Sequence, residues 1–139
     1  MGKTTQALTL RESLVKAEDI TGYDSSSKKK AFQRDAKAFL KSLAVALGFS
    51  PSSYSIRVNE AGPAVSGEVT LHAHYLYVQL SEDWMASGVS VLYRSCKSQR
   101  DYSGGQNHIL SIRALTEAGQ QERFIDACRH LCVQGRSAA

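Results

Sequence analysis

Between Phe32 and Leu47 the apolar residues Phe32, Ala36, Phe39, Leu40, Leu43 and Leu47 recur at spacings of four, three, one, three and four. That rhythm follows the turn of an α-helix and gives it one apolar side and one wet side. The spacing predicts a helix from about Lys28 to Leu47, entered from a linker, Thr21 to Ser27, whose serines are good N-cap residues. Gly48, Phe49 and Pro51 form its stop, with glycine at C′ and a hydrophobic residue at C″. A helix of this kind folds only against an apolar surface, and the rest of the chain has to provide one.

The middle of the chain provides it through period-two alternation. Tyr54 to Val58 alternates, Asn59 to Pro63 reads as a turn, and Val65, Gly67, Val69 and Leu71 alternate against polar neighbours. Tyr75 to Leu80 and Val89 to Tyr93 read as two further strands, and Ile109 to Ile112 as a short fifth. Connections this short favour an antiparallel meander over parallel crossovers. Thr9-Leu10-Arg11-Glu12 reads as a capping box opening a first helix to about Asp19, with Leu10, Leu14 and Ala17 on one face. A last helix starts at Thr116 or Gln120 and carries Phe124, Ile125, Cys128, Leu131 and Cys132 on its apolar side, with Gly135 as its stop. The expected fold is α+β: a four- or five-stranded antiparallel sheet with helices on one face, in the order α-α-β-β-β-β(-β)-α. Its 139 residues suit one domain, with residues 1–8 as a flexible tail.

Charge is unevenly placed along this fold. The net charge is +4, yet residues 28–41 hold six Lys or Arg against Asp35, and residues 94–113 hold four against Asp101. The rest of the chain is therefore acidic on balance. Basicity gathered into two segments fits a surface that faces anions. No apolar run is long enough to span a bilayer, and the polar N-terminus shows no secretory pattern. Gln6 stands where a myristoylation signal has Ser or Thr. Three cysteines, Cys96, Cys128 and Cys132, fit free thiols in a reducing, cytoplasmic setting.

The segment from Arg94 to His108 is the richest in interaction chemistry. Arg94, Lys97 and Arg100 offer charge to an anion, Tyr102 a stacking face, and Gln106, Asn107 and His108 hydrogen bonds. Gly104 and Gly105 allow backbone N–H groups to approach a ligand. The first turns of the long helix, with Lys28, Lys29, Lys30 and Arg34, form a second basic face. No phosphate-loop fingerprint is present. Two enzyme readings stand beside this one. His72 and His74, two apart on a strand, face the same way and could begin a metal site. Cys96, between Arg94 and Lys97, has the cationic neighbours that activate a thiol, with His72 or His108 as a base. Cys128 and Cys132 lie on an apolar helix face, where cysteine acts as a small hydrophobe.

Gly67 to His72, Leu76 to Leu80, Val91 to Lys97 and Asp101 to Asn107 together resemble small accessory proteins of bacterial plasmids and prophages, over roughly residues 28–113. The resemblance implies a mobile-element protein acting on host machinery or element DNA, often as a stoichiometric binder or an inhibitor of host defence. It carries no catalytic motif and assigns no site residue.

The expected function is thus a non-enzymatic, cytoplasmic binding protein without a cofactor, whose partner is nucleic acid, a nucleotide or an acidic host protein surface. A small enzyme built on Cys96 or His72/His74 is the alternative. Self-association through an exposed sheet edge is a third reading.

Overall fold

The computed structural model describes residues 8–10, 14, 25–59, 68–83, 88–97 and 105–138. The first helix read from the sequence, apart from Leu14, lies outside these residues, as does the turn after Asn59. The long helix α1 spans Ser25–Ala46, and five strands follow: β1 Tyr54–Asn59, β2 Glu68–Ala73, β3 Leu76–Asp83, β4 Gly88–Ser95 and β5 His108–Ser111. A 3-10 turn at Ile112–Thr116 leads into the last helix, α2, Gln120–Ala138. The strands form one sheet in the order β1-β2-β3-β4-β5, every pair antiparallel. The α+β fold class and the meander both follow the sequence expectation, with the fifth strand present.

Register explains which side the helices occupy. Val58, Val69, Leu80, Val91 and Leu110 are cross-strand neighbours, and so are Ile56, Leu71, Val78 and Tyr93. These rows belong to the core, with α1 packed over β1 and β2 and α2 over β3 and β4. Phe124 of α2 ties the layers together: its ring stacks with Phe39 of α1 at 6.3 Å and meets Tyr93 edge-on at 5.1 Å. The opposite face carries Arg57, Thr70 and Gln79 in one row and Ser55, His72, Tyr77 and Arg94 in the next.

The helix ends are settled by hydrogen bonding. Gly48 takes φ +77°, its N–H donates to Val45 O at 3.0 Å, and the Phe49 N–H donates to Ala44 O at 2.9 Å. This is the glycine stop expected from Gly48-Phe49. Phe32, Phe39, Leu40 and Leu43 are fully buried, whereas Leu47, beyond the last helical residue, is only half-buried. At the other end, Ser25 to Ser27 are the first residues of the helix rather than its linker. Leu8 is buried too, and its N–H donates to Gln121 Oε1 at 2.8 Å, so the last residue of the expected tail is anchored on α2. The Thr9 N–H likewise donates to Ser42 Oγ on α1, at 2.9 Å.

Gly135 does not end α2, which continues to Ala138. Its role is close approach: a Cβ there would lie 2.6 Å from Cys96 O and 2.9 Å from Tyr75 Cβ. Tyr75 itself holds φ 74°, a strained conformation for a bulky side chain, in the two-residue turn between β2 and β3. The Cys96 N–H donates to Tyr75 O at 3.2 Å, so strand β4 and helix α2 both brace that turn. Gly135→Ala should therefore lower the melting temperature. Overpacking costs about 1–3 kcal/mol, against a helix-propensity gain of about 1 kcal/mol, and thermal denaturation reads the balance.

Candidate anion-binding surface

The segment that carried most of the sequence expectation divides in the structure. Arg94 belongs to β4, not to a loop, and only 6% of it is exposed. Alternation along the strand puts it on the face away from α1 and α2, directly across from Tyr77, and its guanidinium carbon lies 4.1 Å from the centre of that ring. A cation over an aromatic face in a desolvated setting is a packing interaction. As a contact for an outside partner, Arg94 is thus corrected: its charge is directed into the protein. Lys97, Gln106, Asn107 and His108 are exposed, as expected. Arg100 and Tyr102 lie outside the described residues. Gly105 offers no N–H to an anion, because that group donates to Ser95 O at 2.9 Å.

Tyr77 is the middle of a cross-strand series. On its other side His72 meets it edge-on at 5.1 Å, and Arg57 Nη2 lies 3.0 Å from His72 Nδ1. An arginine can only donate, so Nδ1 accepts and the His72 proton sits on Nε2. His72 is fully buried, while His74 is exposed in the β2–β3 turn. The expectation that both imidazoles face one metal fails, since a cation already occupies Nδ1 of one and the other is outside the strand. Among the described residues no three His, Cys, Asp or Glu side chains gather as a metal site would require.

Cys96 departs from the expectation of an activated thiol, whereas Cys128 lies in the core and Cys132 packs against it as expected. Cys96 is buried, and its Sγ donates to Ala73 O at 3.3 Å, so it is held as a packed thiol away from solvent. Of its sequence neighbours, Arg94 is buried over Tyr77 and Lys97 is exposed. Cys128 is buried, and desolvation first, then the nearby Cys132, pushes its thiol well above the ordinary range. Cys132 is half-buried and is the most accessible of the three.

The basic face of α1 is the surface that the structure enlarges. Lys30, Arg34, Lys37 and Lys41 are all exposed. At about 100° per residue, their spacings of four, three and four place them within roughly 60° of arc, a single row along the helix. Asp35 is the helix's one carboxylate, and it is buried. It takes Arg34 Nε at 2.9 Å and Nη2 at 3.4 Å, which steadies that guanidinium at the surface and offsets part of its charge. Among the described residues, none of the three lysines is ion-paired. Lys28 and Lys29 are helical residues whose side chains lie outside the described set. Lys37 and Lys41 were legible as cations off the apolar stripe, but their alignment with Lys30 and Arg34 appears only when angular position is counted.

No family model, curated protein or solved structure matches the chain. No described helix is long and apolar enough to cross a membrane.

Three outcomes follow from this geometry. Arg94→Ala should destabilise by about 1–2 kcal/mol through loss of the cation–ring contact and its packing, whereas Lys97→Ala should stay within about 0.5 kcal/mol; denaturant titration separates them. In native protein Cys132 should be alkylated first, with Cys96 and Cys128 protected. Burial also raises Tyr93, with the Cys128 charge adding to it. Groups raised on folding give stability that is fully present below their unfolded pKa and lost as pH climbs toward the folded value. Stability should therefore decline above about pH 8.5, where unfolded thiols ionise, and Cys128→Ala should make that decline shallower.

Proposed function

We propose that the chain is a non-enzymatic binding protein that engages a phosphate-bearing or acidic partner through its solvated basic surface. The observation that carries this reading is the α1 row, Lys30, Arg34, Lys37 and Lys41, exposed along one side of a helix whose only carboxylate is buried. Helix stability does not call for such a row. Like charges three and four apart repel, and each pair costs a few tenths of a kcal/mol. Lys97, Gln106, Asn107 and His108 add exposed cationic and hydrogen-bonding groups at the β4–β5 connection.

The burial of Cys96 and the Arg57 contact at His72 weigh against the two enzyme readings. The resemblance to accessory proteins of plasmids and prophages supports a stoichiometric role in a bacterial mobile element, including inhibition of host defence. The test is a panel of immobilised duplex DNA, RNA, heparin and polyglutamate, run at about 50 mM and about 200 mM salt. Retention on at least one polyanion at the lower salt, lost steeply at the higher, is expected. Retention on none of them would end the reading.

A further inference from the structure

We infer that the α1 row docks on the phosphate backbone of double-stranded nucleic acid without regard to base sequence, a step that rests on the anionic-partner reading above. Length is the first argument. From Lys30 to Lys41 the helix rises about 16 Å at 1.5 Å per residue. A duplex strand carries one phosphate per about 3.4 Å of axis, so the row spans about five of them along the axis, and the winding of the strand turns only part of these toward it. A single nucleotide would leave most of the row unmatched.

Composition is the second argument. The half-buried residues flanking the row, Gln33, Ala38 and Ser42, are polar or small, and the exposed apolar Val45 lies past the end of the row rather than at its centre. A protein partner of useful affinity would be expected to find aromatic or large apolar anchors at the centre of its contact. Single-stranded nucleic acid is gripped by aromatic rings on which bases stack, and the row has none. What remains is charge in a line, which suits the doubled charge density of a duplex. Lysine point charges, unlike paired amides or arginine forks aimed at base edges, carry no base preference. Arg34 is the one fork in the row, and Asp35 already holds two of its donors.

The experiment uses the full chain and a duplex of about 20 base pairs, by fluorescence anisotropy across a salt series. Its key variant is Lys30→Ala/Lys37→Ala/Lys41→Ala, which leaves Arg34 in place so that buried Asp35 keeps its partner. Alanine suits an exposed helix position, so the fold should persist, and a melting temperature within a few degrees of the parent verifies it. The expected result is affinity reduced by more than about tenfold and a salt slope shallower by about 2.7, three phosphate contacts at about 0.9 each. Two duplexes of unrelated sequence should behave alike, and the triple lysine-to-arginine variant should retain binding. An unchanged slope in the alanine variant would overturn the α1 row as the seat. Tighter binding to single strands, or dependence on base sequence, would overturn the duplex backbone as the partner. Binding to heparin or polyglutamate but to no duplex would overturn this inference while leaving the broader anionic reading standing.

Discussion

Val58, Val69, Leu80, Val91 and Leu110 stand side by side across five strands, and water has to be kept from that row and the one beside it. No second sheet packs on them among the described residues, so α1 and α2 must do it, and each can do so only with its apolar stripe turned inward. Phe124 shows how tightly the arrangement is coupled, since one ring touches both α1 and the sheet. Once Phe32, Phe39, Leu40 and Leu43 are committed to this core, the opposite side of α1 is committed to solvent. The cation row is thus placed by the burial of residues that carry no charge at all.

The same alternation that builds the core redistributes the chemistry that looks continuous along the chain. Arg94, Cys96 and Lys97 are near neighbours in sequence, yet one stacks on Tyr77, one bonds Ala73 O and one is exposed. Reading them as one basic loop ignored that β4 runs to Ser95 and that consecutive strand residues point to opposite faces. The pairing of Arg94 with Tyr77 was recoverable from the sequence only after the register of β3 against β4 was known. Long, strongly periodic elements were legible to within a few residues at their ends: α1 with its glycine stop, and the described parts of the alternating strands. Gly135 was not, because a glycine near a helix end looks the same whether it stops the helix or admits a neighbour. Only the nearness of Cys96 O and Tyr75 tells the two apart.

The Arg57–His72–Tyr77–Arg94 series shows a second limit on reading charge from sequence. Two arginines, a histidine and a tyrosine on one sheet face resemble a ligand site when taken as a set. Among the described residues they contact one another: Arg57 donates toward His72, His72 meets Tyr77, and Tyr77 lies beneath Arg94, which also donates to Ser95 O. Cross-strand pairs of this kind contribute to register and to packing on that face.

The charges of α1 run against the preference of its own helix dipole. A helix is steadied by acids in its first turn and bases in its last, and α1 has neither. Lys28 instead stands in that first turn, with Lys29 and Lys30 just beyond it, where a cation near the positive end of the dipole costs a few tenths of a kcal/mol. The far end is compensated from outside: Arg129 of α2 donates to Ala46 O at 3.1 Å, bringing a cation to the terminal carbonyls. That contact also joins the two helices at the end where α1 leaves the core. The fold thus supplies through tertiary contact what the helix's own residues withhold, and α1 can carry cations where local stability disfavours them. A sequence free to choose for helix stability alone would place acids in that first turn, where α1 has three serines and Lys28.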